Sequence, residues 1–235
     1  MNKCKHMFVS YAYLIVNFGG NLKGTSHLAI GVAIGVAAVA YYPLSLTNSA
    51  LYIAVASFSS LSADLDGPSL LSSKLGNISK LLQNLVLGVG VFLTGTVLYM
   101  HFFQHSFDRT FAVIAVSTLL LGFVARAGFI RNALVSLVGL GLIYSGLVWS
   151  MTWLIAFGVY VAWVPWLKHR GMTHTVWAIL AWGGIGWGLE QQLQVQGIMI
   201  VSVISYFSHL LADTLTPSGV KWFYPLYKKS IKLHI

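Results

Sequence analysis

Acidic residues are scarce in this chain. Its 235 residues include only five Asp and Glu. Charged residues of both signs make up 8% of it, against about 25% in an average soluble domain. The single cysteine, Cys4, excludes a disulfide framework and a thiolate metal cluster. No Walker loop, dinucleotide fingerprint, GxSxG elbow or CxxC pair occurs, so the sequence motifs of nucleotide, flavin and serine-hydrolase chemistry are missing. No internal repeat is evident. The formal charge of +9 is spread over short loops and not gathered in one block, which suits a lipid surface better than nucleic acid. No nucleic-acid partner is expected.

What remains is apolar. The chain is 57% hydrophobic and 14% aromatic, with a mean hydropathy of +0.78. That is the composition of a polytopic membrane protein. About 20 apolar residues cross a bilayer, and eight segments stand out: 27–42, 45–63, 83–102, 110–125, 131–147, 149–166, 173–189 and 197–212. Open strands cannot span lipid. The expected fold is therefore all-α, a transmembrane bundle of about eight spans. Pro43, Gly67-Pro68, Gly128, Gly171, Gly197 and Pro217-Ser218-Gly219 punctuate the segment ends. Trp149, Trp153, Trp163, Trp166 and Trp222 fall near them, as an aromatic belt would. The small residues Gly31, Gly35, Gly88, Gly90 and Gly95 suit close helix packing.

A ninth apolar run, 7–18, follows Lys3 and Lys5 and resembles a signal-peptide core. Asn17-Phe18-Gly19-Gly20 is a poor cleavage site. Residues 1–22 are read as an N-terminal extension, interfacial or an extra helix. Residues 23–226 form the membrane-embedded domain and 227–235 a basic tail.

Loop charge orients such a bundle. Alternating sides from His27 places Lys23, Lys74, Lys80, Arg126, Arg131, Lys168, Arg170, Lys221, Lys228, Lys229 and Lys232 on one side. Only Arg109 falls on the other, with Asp108 and Glu190. The positive-inside rule makes the basic side cytoplasmic and the chain a multi-pass inner-membrane protein. Cleavage of the N-terminus would invert this pattern, which argues against it.

Three of the five acids keep company with histidines on that same side. Asp64-Leu65-Asp66 precedes Gly67-Pro68, so both carboxylates can converge from a turn. The plainer reading is a solvated pair capping a helix. His209 and Asp213 are four apart and share one helix face; they suit a shared ion or a buried hydrogen bond. In Lys168-His169-Arg170-Gly171-Met172-Thr173-His174, Gly171 permits a tight turn and Thr173 can cap the next helix. Arg170 at that helix start forms an anion site, or the run is a basic interfacial loop. His27 follows Gly24-Thr25-Ser26, a helix start, and alone reads as structural. His6, His101, His105 and His234 lack a partner motif.

Taken together, these motifs resemble a family of bacterial inner-membrane metal-dependent hydrolases, the YdjM-like group with a LexA-regulated founding member. The family pattern is an early His, a DxD followed closely by Pro, an HRGxTHS/T box, and a closing SHxLxDxLTPxGVxxxxP. Here these are His27, Asp64 to Pro68, His169 to Thr175, and Ser208 to Val220 with Pro225. The match covers residues 24–226. Where many members have a His after the DxD, this chain has Gly67, and about four apolar segments separate the DxD from the HRG box.

The resemblance implies a metal-dependent hydrolase. The candidate ligands are His27, Asp64, Asp66, His169, His174, His209 and Asp213, for one or two Zn, Mn or Mg ions. Arg170 would steady negative charge on the substrate. Membrane lipid is the expected partner, and a lipid-like or other amphipathic phosphoester or amide the expected substrate class. The rival readings are a cation transporter and a non-catalytic interaction protein.

Overall fold

The computed structural model describes residues 24–42 and 45–233. The run at 7–18 lies outside them. The described residues form eight α-helices: α1 Gly24–Tyr41, α2 Leu46–Ser62, α3 Ser73–Phe103, α4 Arg109–Val124, α5 Ala127–Val148, α6 Thr152–Trp163, α7 Val176–Leu193 and α8 Ile198–Thr214. Short 3-10 turns lie at Ala63–Asp66, Val164–Trp166 and Met172–His174. Among the described residues the only β pairing is one antiparallel bridge, Val220 with Ile231.

Each apolar segment has its helix, but three helices, α1, α3 and α5, are long and apolar enough to cross a membrane by length and composition. Several ends differ from the reading of hydropathy. Helix α3 starts ten residues before 83, because Lys74, Asn77 and Lys80 dilute the apolar signal without breaking the helix. Its 31 residues run about 46 Å, well beyond a hydrocarbon layer of about 30 Å. Helix α6 stops at Trp163, where Pro165 leads into a 3-10 turn. Helix α7 begins at Val176, three residues after the expected start.

The site is framed by α1, α2, α7 and α8. Helix α2 packs on α1 and α8, α7 packs on α8, and α1 also reaches α8. Helix α6 joins through α7 and carries α5, which in turn carries α3 and its hairpin partner α4. Helix α8 is the most enclosed. Its buried residues run 198, 201, 202, 205, 206, 209, 210, 212, 213 and 214, a broad helical face that takes in His209 and Asp213. By contrast, α3 buries only Ser79 and Gly90. Its Leu85, Phe92, Tyr99 and Phe102 are exposed, an apolar surface suited to lipid.

Glycine sets the α1–α2 spacing. A Cβ on Gly35 would stand 2.6 Å from the Ile53 Cα. The expectation for α3 holds at Gly90, which abuts the Leu119 backbone of α4, but not at Gly88 or Gly95, which face open space.

The segment after α8 folds back across the same end of the bundle. Leu233 N donates to Thr214 O, and Val176 N donates to Trp222 O. Asn132 Nδ2 at the start of α5 donates to Pro165 O, 2.6 Å away. Ser72 Oγ, just before α3, donates to Gly67 O. The loops read as the basic side thus meet at one end.

Candidate metal centre

Asp64 and Asp66 leave α2 on the 3-10 turn Ala63–Asp66. They stay close to one another but serve different partners. Asp64 Oδ1 lies 3.5 Å from His209 Nε2 and 3.7 Å from His174 Nε2. Asp66 turns to the HRG box. Its Oδ1 is 2.7 Å from His169 Nδ1, and its Oδ2 accepts from Arg170 N at 3.0 Å and Thr173 Oγ1 at 2.6 Å.

His209 and Asp213 share a face of α8 as their spacing requires, with Nε2 3.8 Å from Oδ2. The His27 ring from α1 stacks on His209 with centroids 3.8 Å apart. Its Nε2 stands 3.4 Å from Asp213 Oδ1. His174 Nε2 is 3.3 Å from Asp213 Oδ2.

The HRG box takes an unexpected backbone. Arg170, not a glycine, holds the left-handed conformation at φ 56°. Gly171 is needed for space instead: a Cβ there would sit 2.6 Å from Lys168 O, which accepts the Gly171 amide. The cap of α7 is Thr175, whose Oγ1 accepts from Ala178 N, and not Thr173. His174 therefore sits in the preceding 3-10 turn and points inward, fully buried.

The anion site expected at this helix start is filled by protein. The Val176 amide is taken by Trp222 O. Arg170 places Nη2 3.2 Å from Asp213 Oδ2 and Nη1 3.2 Å from Thr216 Oγ1. Arginine has five N–H donors, so others remain for a ligand.

All seven sequence-derived residues and Arg170 are thus brought to one end of the bundle. Three overlapping groups each bring their donor atoms within 4.8 Å of one another: His27, His209 and Asp213; Asp64, His174 and His209; and Asp64, Asp66 and His169. The first two share His209 and enclose one spot. The third is its outer rim, where the His169 side chain is 53% exposed. His101, by contrast, is exposed beside Phe102 and Phe107.

The inner spot has an electrostatic demand. His209 Nδ1 is 2.6 Å from Ser60 O; a carbonyl only accepts, so Nδ1 carries the proton. For a neutral ring, Nε2 then presents a lone pair. Thr173 Oγ1 donates to the Asp66 carboxylate and lies 2.9 Å from His174 Nδ1. Its remaining role is acceptor, so His174 also carries its proton on Nδ1. The Nε2 atoms of His174 and His209 and Oδ1 of Asp213 are buried with no hydrogen-bond partner. Lone pairs and carboxylates face one another, and such a group needs positive charge at its centre.

Added protons on the imidazoles are one solution, but N–H···O bonds would close to about 2.9 Å. The observed separations are 3.3–3.8 Å. Two donors about 2.1 Å from one ion, at tetrahedral to trigonal angles, stand about 3.4–3.6 Å apart. The residues fit a shared cation.

The hydrogen bond to Asp66 raises the His169 imidazole above its usual value, against the burial that opposes it.

Several supporting groups were not singled out in the sequence. Tyr206 donates to Thr173 O at 2.7 Å. Its hydroxyl lies 2.9 Å from that of Tyr160, which in turn lies 3.1 Å from Ser62 O. This pair ties the DxD turn to the HRG box. Tyr206 stands three residues before His209 on the same α8 face, a usable signal. Nothing in the sequence marks the Ser60 carbonyl.

No curated protein and no solved structure matches the chain significantly. A family profile, that of the YdjM inner membrane proteins, matches residues 22–235 and so takes in every residue of the cluster. By that match, the chain belongs to the YdjM inner membrane protein family.

Proposed function

We propose that this chain is a multi-pass membrane hydrolase that uses a divalent metal ion held by His27, Asp64, His174, His209 and Asp213. The observation that carries this reading is the buried inner spot, where the unpartnered Nε2 lone pairs of His174 and His209 meet the carboxylates of Asp64 and Asp213. Three imidazoles with two carboxylates suit Zn²⁺ or Mn²⁺ better than Mg²⁺, which prefers oxygen and retained water. Such an ion supplies Lewis acidity and lowers the pKa of water toward about 7.

The chain's own groups do the rest. Arg170, 23% exposed at the mouth, binds and orients an anionic oxygen of the substrate with the donors left by Asp213 and Thr216. The His169 and Asp64 side chains are likewise partly exposed. Lys168 and Lys221 raise the local concentration of anions. In a chain whose helices expose apolar surface, the substrate class is a lipid-like or otherwise amphipathic phosphoester or amide. The bundle sits across the membrane with its shorter helices ending within the interfacial layers, and the positive-inside rule turns the site to the cytoplasm.

Elemental analysis of detergent-purified protein is the direct test. Wild type is expected to retain a stoichiometric divalent metal, and His209→Ala to lose most of it. Metal-free, folded wild type that takes up no added Zn²⁺ or Mn²⁺ would reduce the cluster to a tie between helix ends.

A further inference from the structure

The second carboxylate of the DxD is the more enclosed one, yet it faces away from the inner spot. Asp66 is 5% exposed. Its Oδ2 takes a hydrogen bond from the Thr173 hydroxyl at 2.6 Å. The same hydroxyl lies 2.9 Å from His174 Nδ1. Thr173 and His174 are themselves buried, so water does not compete for these bonds. The direct approach of His174 Nδ1 to Asp66 Oδ2 is 3.7 Å, too long for a hydrogen bond.

The geometry points to Asp66 and Thr173 as a positioning relay for His174: the carboxylate orients the hydroxyl, and the hydroxyl accepts the Nδ1 proton, aiming the Nε2 lone pair at the metal.

The direction of each bond follows from chemistry. An ionised carboxylate only accepts. Thr173 has one proton, and Asp66 takes it. The Thr173 oxygen can then only accept from the ring, so His174 carries its proton on Nδ1. The opposite tautomer would point an N–H at the ion and remove a ligand. The relay also has a mechanical side. Asp66 Oδ2 accepts the Arg170 amide, and Tyr206 holds the Thr173 carbonyl, so the turn bearing His174 is clamped at both ends. His209 has a simpler support in the Ser60 carbonyl. His174 alone among the inner histidines is reached through a side-chain hydroxyl.

This assignment rests on the metal reading above, and its experiment separates the two. Zn²⁺ affinity is measured by competition with a chelator on detergent-purified full-length protein. The tautomer of His174 is read by isotope-edited NMR of the histidine ring nitrogens. Thr173→Val keeps the shape and removes the hydroxyl. It is expected to bind Zn²⁺ about 10- to 100-fold more weakly, the usual cost of a lost outer partner. Thr173→Ser should restore near wild-type binding. Asp66→Asn retains an oxygen acceptor for Thr173 and the Arg170 amide, and should keep full stoichiometry, whereas Asp64→Asn weakens the ion's own coordination.

Wild type that binds no Zn²⁺ overturns the metal reading and the relay with it. Tight wild-type binding with an equally tight Thr173→Val overturns the relay alone. An ion lost from Asp66→Asn would make Asp66 a ligand. Should Thr173→Val not fold, the metal-free wild type still decides, because His174 found protonated on Nε2 contradicts the relay.

Discussion

Arg170 adopts a backbone, φ 56°, that costs an L side chain about 1–2 kcal/mol. Three contacts hold it there: its amide on Asp66, and its guanidinium on Asp213 and Thr216. It cannot coordinate a metal, so its effect should fall on turnover. Arg170→Lys replaces a fork by a point charge that cannot reach Asp213, Thr216 and a substrate oxygen together. Metal content is expected to stay near wild type while hydrolysis drops by about 10²-fold; steady-state kinetics alongside metal analysis checks both. The carboxylates should behave in the opposite way. Asp64→Ala and Asp213→Ala stand about 150 positions apart, yet each should lower bound metal, because both face the same two imidazoles. Full stoichiometry in either variant would remove that residue from the ligand set.

At the scale of elements, the site depends on how closely α1 approaches its neighbours. His27 reaches Asp213 and His209 only if α1 lies tightly against α2, and Gly35 allows that approach. Gly35→Val would press a branched side chain into the Ile53 backbone. Overpacking of this kind costs about 1–3 kcal/mol, and displacing α1 carries His27 away. A lowered thermal midpoint with weakened metal binding is expected. Gly88→Ala is the control: a Cβ there meets nothing within 4 Å. Alanine is the better helix former by about 1 kcal/mol, so stability should hold or rise, by the same thermal melt. A melt unchanged by Gly35→Val would show that α1 can shift without loss.

At the scale of the whole molecule, charge and chemistry share one end. Arg131 lies near the Pro165 turn through Asn132, Arg126 stands at the start of the same helix, Lys74 follows the Gly67–Ser72 corner, and Lys221 follows the bridge residue Val220. A C-terminal reporter should therefore be active in the cytoplasm. Activity confined to the outer side would overturn both the orientation and the cytoplasmic site. The hairpin α3–α4 takes no part in the cluster. It joins the bundle through α5 and supplies none of the five proposed ligands, consistent with its place as an insert between the DxD and the HRG box.

Composition and spacing alone reveal an all-helical membrane chain and its candidate residues. Five acids in 235 residues made each one conspicuous, and apolar runs of helical length placed them at segment ends. His209 and Asp213 could be paired by counting, because a helix repeats every 3.6 residues and i, i+4 neighbours must share a face. Which atoms meet depends on how the helices pack. Asp64 and Asp66 are two residues apart on a tight turn, where no periodicity says which way a carboxylate points; packing sent one to α8 and the other to the HRG box. By its residue type and place, Thr173 reads as the cap of the next helix. The cap went to Thr175, because Asp66, more than a hundred positions away, took the Thr173 hydroxyl. Long-range contacts of that kind come from helices crossing, and a one-dimensional pattern carries no record of the crossing.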